Sequence, residues 1–242
     1  MSTAARGLEM PLLMKEADER VAYLTLNRPD RRNALNKELC EQLCSQLVKC
    51  AEDESVKVIV IRGAGTAFCG GADVTEMRAS SSQADIVAYA ERNAHLLKLA
   101  PSLRVPVLAA LNGPAVGAGA ALALACDGIV MAEHATLSFP EIHHGIAPLL
   151  VWPSLERHVG RLAAFEILTG DGPITAYQAL ERRWVNRVVK SEDLQTEVRA
   201  WALKIAALSS SALSGMKRIA FASDGCSLEG SLLKAVDAYK NQ

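Results

Sequence analysis

The hydrophobic pattern of this chain changes period along its length. Runs that are apolar at nearly every position, or alternate closely, read as strands: "VAYLTL" (21–26), "VKVIVIRGAG" (56–65, running into a loop), "PVLAAL" (106–111), "GIVMAE" (128–133), "ATLSF" (135–139) and "VNRVV" (185–189). Between them the spacing becomes helical. Asn36 precedes an amphipathic helix with apolar positions Leu39, Cys40, Leu43, Cys44, Leu47 and Val48, and its short amide side chain suits an N-cap. The loop "AFCGGAD" leads to a helical stretch through Val74 and Met77, then a serine-rich break at Ser80 to Ser82, then a longer helix ending near Pro101. After the loop "PEIHHGIAPLL", the pattern from Trp152 onward is mostly helical. Strands alternating with helices, then a helical tail, predict a mixed α/β core with a C-terminal helical region and no internal repeat.

Composition narrows the picture without redirecting it. A chain of 242 residues, 50% of them apolar, can bury a sizeable core in one large domain. Lys plus Arg at 26 against Asp plus Glu at 27 gives no strong field, so neither nucleic acid nor an anionic membrane is expected as the main partner. The six cysteines lack C-x-x-C spacing and sit among apolar residues, which predicts reduced thiols. Cys40 and Cys44 lie one helical turn apart without further ligands, so they are read as core packing and no metal site is expected. "MSTAARGLEM" lacks the apolar core of a signal peptide, and the longest apolar run, Ala115 to Cys126, is too short to span a bilayer. The C-terminal "KNQ" is not a peroxisomal address. A cytoplasmic protein is the expectation.

The chemistry is concentrated in two places where a buried strand ends in a glycine-containing loop that opens a helix: "VIVIRGAGTAFCGGAD" and "PVLAALNGPAVGAGAAL". Amides at a helix start have no intrahelical acceptor and carry the positive end of the dipole, so each turn can offer donors to an anion, and two could converge on one oxygen. Close packing of a helix on the sheet would also explain the glycines. A Rossmann turn fits less well, because Gly117 and Gly119 are followed by Leu122 where G-x-G-x-x-G needs its third glycine. The G-K-[ST] of a P-loop is absent.

The order and spacing of "NRPDRRNAL", "AFCGGADVTEM", "AALNGPAVGAGAALALACD" and "FPEIHHGI" resemble the enoyl-CoA hydratase/isomerase (crotonase) superfamily, over about residues 12 to 190. The resemblance implies a crotonase-like (ClpP/crotonase) α/β fold with a mixed-sheet spiral core over residues 1–190. A C-terminal helical region over 191–242 would serve trimerisation. It implies an acyl-CoA substrate, coenzyme A entering only as part of that substrate, no separate cofactor, and a homotrimer or hexamer. By position, the backbone amides of Ala72 and Ala118 would form an oxyanion hole for the thioester oxygen, flanked by Gly71 and Gly117. Ala118 stands where many relatives have glycine. Arg32 matches a position where relatives set a basic residue against the CoA phosphates, although solvation of a helix start would equally account for it. Ile142 and Trp152 would line the acyl site.

Two glutamates hold and activate water in the family's hydratases. The first falls at Ala121 here, and only the second, Glu141, is present. A single carboxylate suits a base that removes a proton from one carbon and returns it to another, as in the family's Δ3,Δ2-enoyl-CoA isomerases, so an isomerase is the favoured expectation. A hydratase for branched or glutaconyl-type substrates and a non-catalytic acyl-CoA-binding protein are the alternatives. Ile142, Ile146, Pro148, Leu149 and Trp152 are expected to surround Glu141, desolvate it and raise its pKa; the plain alternative is a loop glutamate in a salt bridge. His143 and His144 could donate a proton, bind a polar acyl tail, or simply be loop histidines. Cys69 has no evident histidine partner, and Asp73 and Asp127 are read as turn and cap residues. The helix from Asp85 to Leu99 and the loop after Glu141 would set acyl specificity. The chain stops soon after a helix starting near Leu228, where many members continue with another helix over the acyl-CoA site.

Overall fold

The computed structural model describes residues 11–79 and 82–240. The N-terminal "MSTAARGLEM", Ser80 and Ser81 of the serine-rich break, and the last two residues of "KNQ" lie outside the described residues. In chain order the elements are β1 (Leu13–Asp18), β2 (Val21–Leu26), α1 (Lys37–Glu52), β3 (Val58–Gly63), α2 (Val74–Ala79), α3 (Gln83–Ser102), β4 (Val107–Leu111), β5 (Ala115–Val116), α4 (Ala118–Leu124), β6 (Gly128–Ala132) and β7 (Thr136–Ser138). A 3₁₀ turn at Ile142–His144 follows. Then come α5 (Val151–Val159), α6 (Arg161–Thr169), β8 (Ile174–Thr175), α7 (Ala176–Glu181), β9 (Arg187–Val189), α8 (Leu194–Ala206), α9 (Ser210–Ala222) and α10 (Leu228–Lys240).

Six strands form one sheet in the order β1-β2-β3-β4-β6-β9, parallel throughout except for β1, which pairs antiparallel with β2. A smaller sheet, β5-β7-β8, stands beside it. Every position of β2, β4 and β6 is buried, so both faces of the main sheet are covered, as the continuous apolar runs require. Helix α1 packs against β1, β2 and β3, and α8 packs against β2, β3, β4 and β6. By sequence α8 belongs to the helical tail, yet Val198, Ala202 and Ala206 join the same buried core as the strands. Asn36 caps α1 as expected, its side chain accepting from the Leu39 amide at 3.0 Å. The α1 stripe is narrower than the pattern suggests: Leu39, Cys40, Leu43 and Leu47 are buried, Cys44 is half-buried and Val48 is exposed. Burial pushes the Cys40 thiol up to about 12.

Strand β1 has no counterpart in the sequence reading. It is a sheet edge with half of "LMKEAD" exposed and only Leu13 buried, so its side chains carry neither alternation nor an apolar run. The longer helix begins at Ser82, which forms a reciprocal capping box with Asp85, and it carries Pro101 inside its last turn.

Asp127 proves to be more than a cap residue. Its carboxylate accepts from the Val107 amide at 2.7 Å and from the Lys217 ammonium, which also donates to the Ala100 carbonyl at 3.0 Å. Lys217 is 4% exposed. These contacts pin α9 to the end of α3 and the start of β4, beside a cavity of about 630 Å³. Removing one partner strands the rest, so Lys217→Met is expected to destabilise the fold by about 3 kcal/mol, at the low end for a broken buried pair because Asp127 keeps some solvent. Adding Asp127→Asn should recover part of the loss. Urea denaturation of the two variants checks this, and a single-variant cost under about 1 kcal/mol would contradict the pinning role.

Candidate active site

The two strand-to-glycine turns lie against each other. Phe68 and Cys69 donate their amides to the Pro114 carbonyl at 3.1 and 3.3 Å, and Val116 donates to the Cys69 carbonyl at 2.9 Å. Gly71 (φ +86°) sits so close to the second turn that an added Cβ would lie 2.6 Å from the Val116 carbonyl oxygen and 3.6 Å from the Ala118 nitrogen. Only glycine allows both that backbone angle and that approach.

The direction of the Ala72 amide follows from its neighbours. The Leu35 amide donates to the Gly71 carbonyl at 2.7 Å and the Asp73 amide donates to the Leu35 carbonyl at 3.1 Å. In such a parallel bridge the middle residue, Ala72, points its own N–H away from Leu35. Ala118 opens α4, where an amide has no acceptor within the helix. Among the described residues, neither the Ala72 nor the Ala118 amide donates a hydrogen bond.

Glu141 comes to the second turn from the other side. A Cβ on Gly117 (φ +51°) would lie 2.4 Å from Glu141 Oε1, so the carboxylate rests on the backbone immediately before Ala118. Its Oε2 is buried and makes no hydrogen bond. Burial raises the carboxyl pKa above its ordinary value, opposed by its own backbone amide and by His144. The direction is the expected one, and burial is its cause. Of the apolar residues expected around it, Ile142, Ile146 and Leu149 are 43%, 38% and 77% exposed, so much of their surface faces solvent in the single chain, whereas Pro148 and Trp152 are half-buried. The Gly117 backbone is one surface against which the carboxylate packs. No salt bridge to Glu141 occurs among the described residues.

The remaining expected site residues divide. Ala121 is one turn beyond Gly117, donating its amide to the Gly117 carbonyl at 2.9 Å, and is 1% exposed. His143 turns away to the Gly170 carbonyl at 2.9 Å, with Asp171 at 4.0 Å. His144 is three residues after Glu141, where a 3₁₀ turn eclipses side chains, so it shares the carboxylate's side of the turn. Trp152, half-buried on α5, donates its indole N–H to Glu156 at 3.0 Å. Arg32 is exposed, and its carbonyl accepts from the Gly70 amide at 2.6 Å, which puts it at the rim of the first turn. Cys69 is fully buried, with its thiol pushed up to about 12 by burial, so little of it is the nucleophilic thiolate near neutral pH.

Two residues of "NRPDRRNAL" that the sequence reading passed over are committed to this turn. Asn33, 0% exposed, donates its side-chain amide to the carbonyls of Ala64, Ala67 and Phe68 at 2.9, 2.8 and 3.2 Å and accepts from the Arg28 amide at 2.9 Å. Arg28 Nη1 bonds the Ala34 carbonyl at 2.5 Å and the Asp73 carboxylate at 3.0 Å. Asp73 also accepts from the amides of Thr75 and Glu76 at the start of α2. Burial would raise its carboxyl, but the Arg28 hydrogen bond and those amides outweigh it and hold Asp73 below its ordinary value.

With this geometry in hand, known proteins give a consistent result. The family model described as Enoyl-CoA hydratase/isomerase matches residues 16–224. The probable enoyl-CoA hydratase echA6 of Mycobacterium tuberculosis is 39% identical over 203 residues, covering 83% of this chain and 79% of that protein. The 2,3-dehydroadipyl-CoA hydratase of Escherichia coli is 39% identical over 199 residues, covering 81% and 75%. Among solved structures, an enoyl-CoA hydratase of Mycobacterium smegmatis superimposes with a TM-score of 0.91 at 34% identity, over 96% of this chain and 90% of that one.

Proposed function

The chain belongs to the enoyl-CoA hydratase/isomerase family, and from that premise we propose that it is a Δ3,Δ2-enoyl-CoA isomerase in which Glu141 is the only proton carrier. The observation that carries this reading is the Glu141 carboxylate resting on Gly117, next to the Ala118 amide, with alanine at 121. In the proposed reaction the carboxylate takes a proton from C2 of a 3-enoyl thioester. The electrons of that C–H bond spread to the thioester oxygen as a dienolate. The amides of Ala72 and Ala118 receive the growing negative charge, a type of preorganised donor worth about 3 to 4 kcal/mol of barrier where single donors have been removed. Glu141 then returns the proton to C4, and the double bond ends between C2 and C3. A carboxyl pKa raised by burial favours this role, because it brings the base nearer to the strength needed to pull a proton from carbon.

Hydration is the second reading. Relatives named as hydratases favour it, and His144 beside Glu141 supplies a second group to handle water. Incubating the protein with 2-enoyl- and 3-enoyl-CoA esters in deuterated water separates the two. Isomerisation is expected, converting 3-enoyl substrates without the mass of a water and carrying deuterium into the product where the carboxyl exchanges with solvent. Rapid gain of water on 2-butenoyl-CoA would move the assignment to hydratase. Assembly as a homotrimer or hexamer belongs to the same reading, supported by Leu162 and Phe165 on α6 and by Leu228, Leu232 and Leu233 on α10, all large apolar side chains left exposed in the single chain.

A further inference from the structure

We propose that Arg28 is a positioning residue for the reaction, holding the segment that aims the Ala72 amide, an inference that rests on the oxyanion-hole reading above. The segment 28–35 runs beside 64–73 and grips it almost residue by residue. Asn33 takes the carbonyls of Ala64, Ala67 and Phe68, and its own carbonyl accepts from the Cys69 thiol at 3.2 Å. The Arg32 carbonyl takes the Gly70 amide, and Leu35 takes the Gly71 carbonyl and the Asp73 amide. Ala72 is the one residue from 69 to 73 whose polar atoms take no part, and its N–H points the other way.

Arg28 closes this splint at its far end. Its guanidinium joins the Ala34 carbonyl, next to Leu35, to the Asp73 carboxylate, next to Ala72. Both side chains of the ion pair are nearly buried, at 15% and 14% exposure, so the contact is shielded from the screening that weakens surface pairs. Without it, Asp73 keeps its bonds to the start of α2 but loses its tie to Ala34, and the peptide between Gly71 and Ala72 is left held only by the backbone bonds of Leu35, with more room to tilt. The consecutive left-handed residues Arg32 (φ +51°) and Asn33 (φ +57°) fit the same account, since strain at non-glycine positions persists where surrounding contacts hold it in place.

The test reads the hole directly. Butanoyl-CoA, a saturated thioester that the proposed reaction cannot turn over, is labelled with ¹³C at its carbonyl and bound to the full chain. Difference infrared spectroscopy then follows the carbonyl stretch, which falls as donors polarise it. Wild type is expected to lower the band, and folded Arg28→Met and Asp73→Asn should lower it less. Turnover in Arg28→Met is expected to fall about 10- to 100-fold with KM within about threefold, as for a donor left in place but misaimed. Arg28→Lys, which keeps the charge but can reach only one of the two acceptors well, should recover part of both signals and serves if the Met variant folds poorly. A variant band identical to that of wild type would overturn the positioning role, even if the protein lost stability. No band shift in wild type would overturn the oxyanion-hole reading itself, and this inference with it.

Discussion

Glu141→Gln is expected to lower turnover by about two to four orders of magnitude while making the protein more stable at neutral pH. The amide is nearly the same shape but cannot accept a proton, so the loss measures the base alone. The stability gain follows from the buried Oε2, which has no hydrogen-bond partner, and from a carboxyl whose pKa burial raises above the ordinary 4.5. Below that ordinary value the carboxyl is protonated in both the folded and unfolded states and carries no penalty. As pH rises past it, the unfolded chain ionises first, and the folded state loses relative stability until Glu141 itself has ionised. Glutamine mimics the protonated form at every pH. Its advantage should therefore be full above the raised folded value and vanish below 4.5. Thermal unfolding from pH 4 to 8, beside assays on 3-enoyl-CoA, checks both halves. Retained turnover would shift the chemistry to His144 or another group, and a variant less stable at pH 7 would contradict the unsatisfied carboxylate.

Which parts of this site were legible in the sequence follows from the range of the interactions that build it. The central strands and α1 were readable because burial on both sides, or along one stripe, leaves a local pattern. Edge strand β1 left none. Glu141 and the two turns are legible through motif resemblance, but the seat of Glu141 on Gly117 is not. Apolar residues near it in sequence suggest its walls, but Ile142, Ile146 and Leu149 keep much of their surface exposed, and the contact with the Gly117 backbone comes from 24 residues earlier in the chain, where no local pattern marks it. Arg28 and Asn33 were missed for a related reason. The partners that tie them to the first turn lie 31 to 45 residues away, so no periodicity marks them. Lys217 and Asp127, 90 residues apart, are the same case. Three arginines and an asparagine within nine residues are the available signal, because polar groups packed that densely beside a core strand need acceptors.

Gly117→Ala should cost about a hundredfold or more in turnover while leaving the chain folded. Two effects act at this position. The backbone stands at φ +51° and ψ −119°, which an alanine resists at a cost of about 1 to 2 kcal/mol. The methyl would also sit 2.4 Å from Glu141 Oε1 and 3.3 Å from Cδ, so the carboxylate must retreat by about an ångström to reach ordinary contact. Strain alone reduces stability, whereas displacing the base reduces kcat, and the two can be told apart. Gly160→Ala is the control for strain, because Gly160 also has a positive φ (+83°) but nothing lies within 4 Å of an added Cβ. It should lose comparable stability and keep most of its activity. A double-mutant cycle isolates the second effect: with Glu141→Ala already in place, the carboxylate is gone and Gly117→Ala should lower the residual rate only slightly, so the two losses fail to add. If Gly117→Ala instead turns over within about threefold of wild type, or its loss adds fully to that of Glu141→Ala, then the carboxylate does not work from its seat on Gly117, and the proton must be carried from somewhere else in the site.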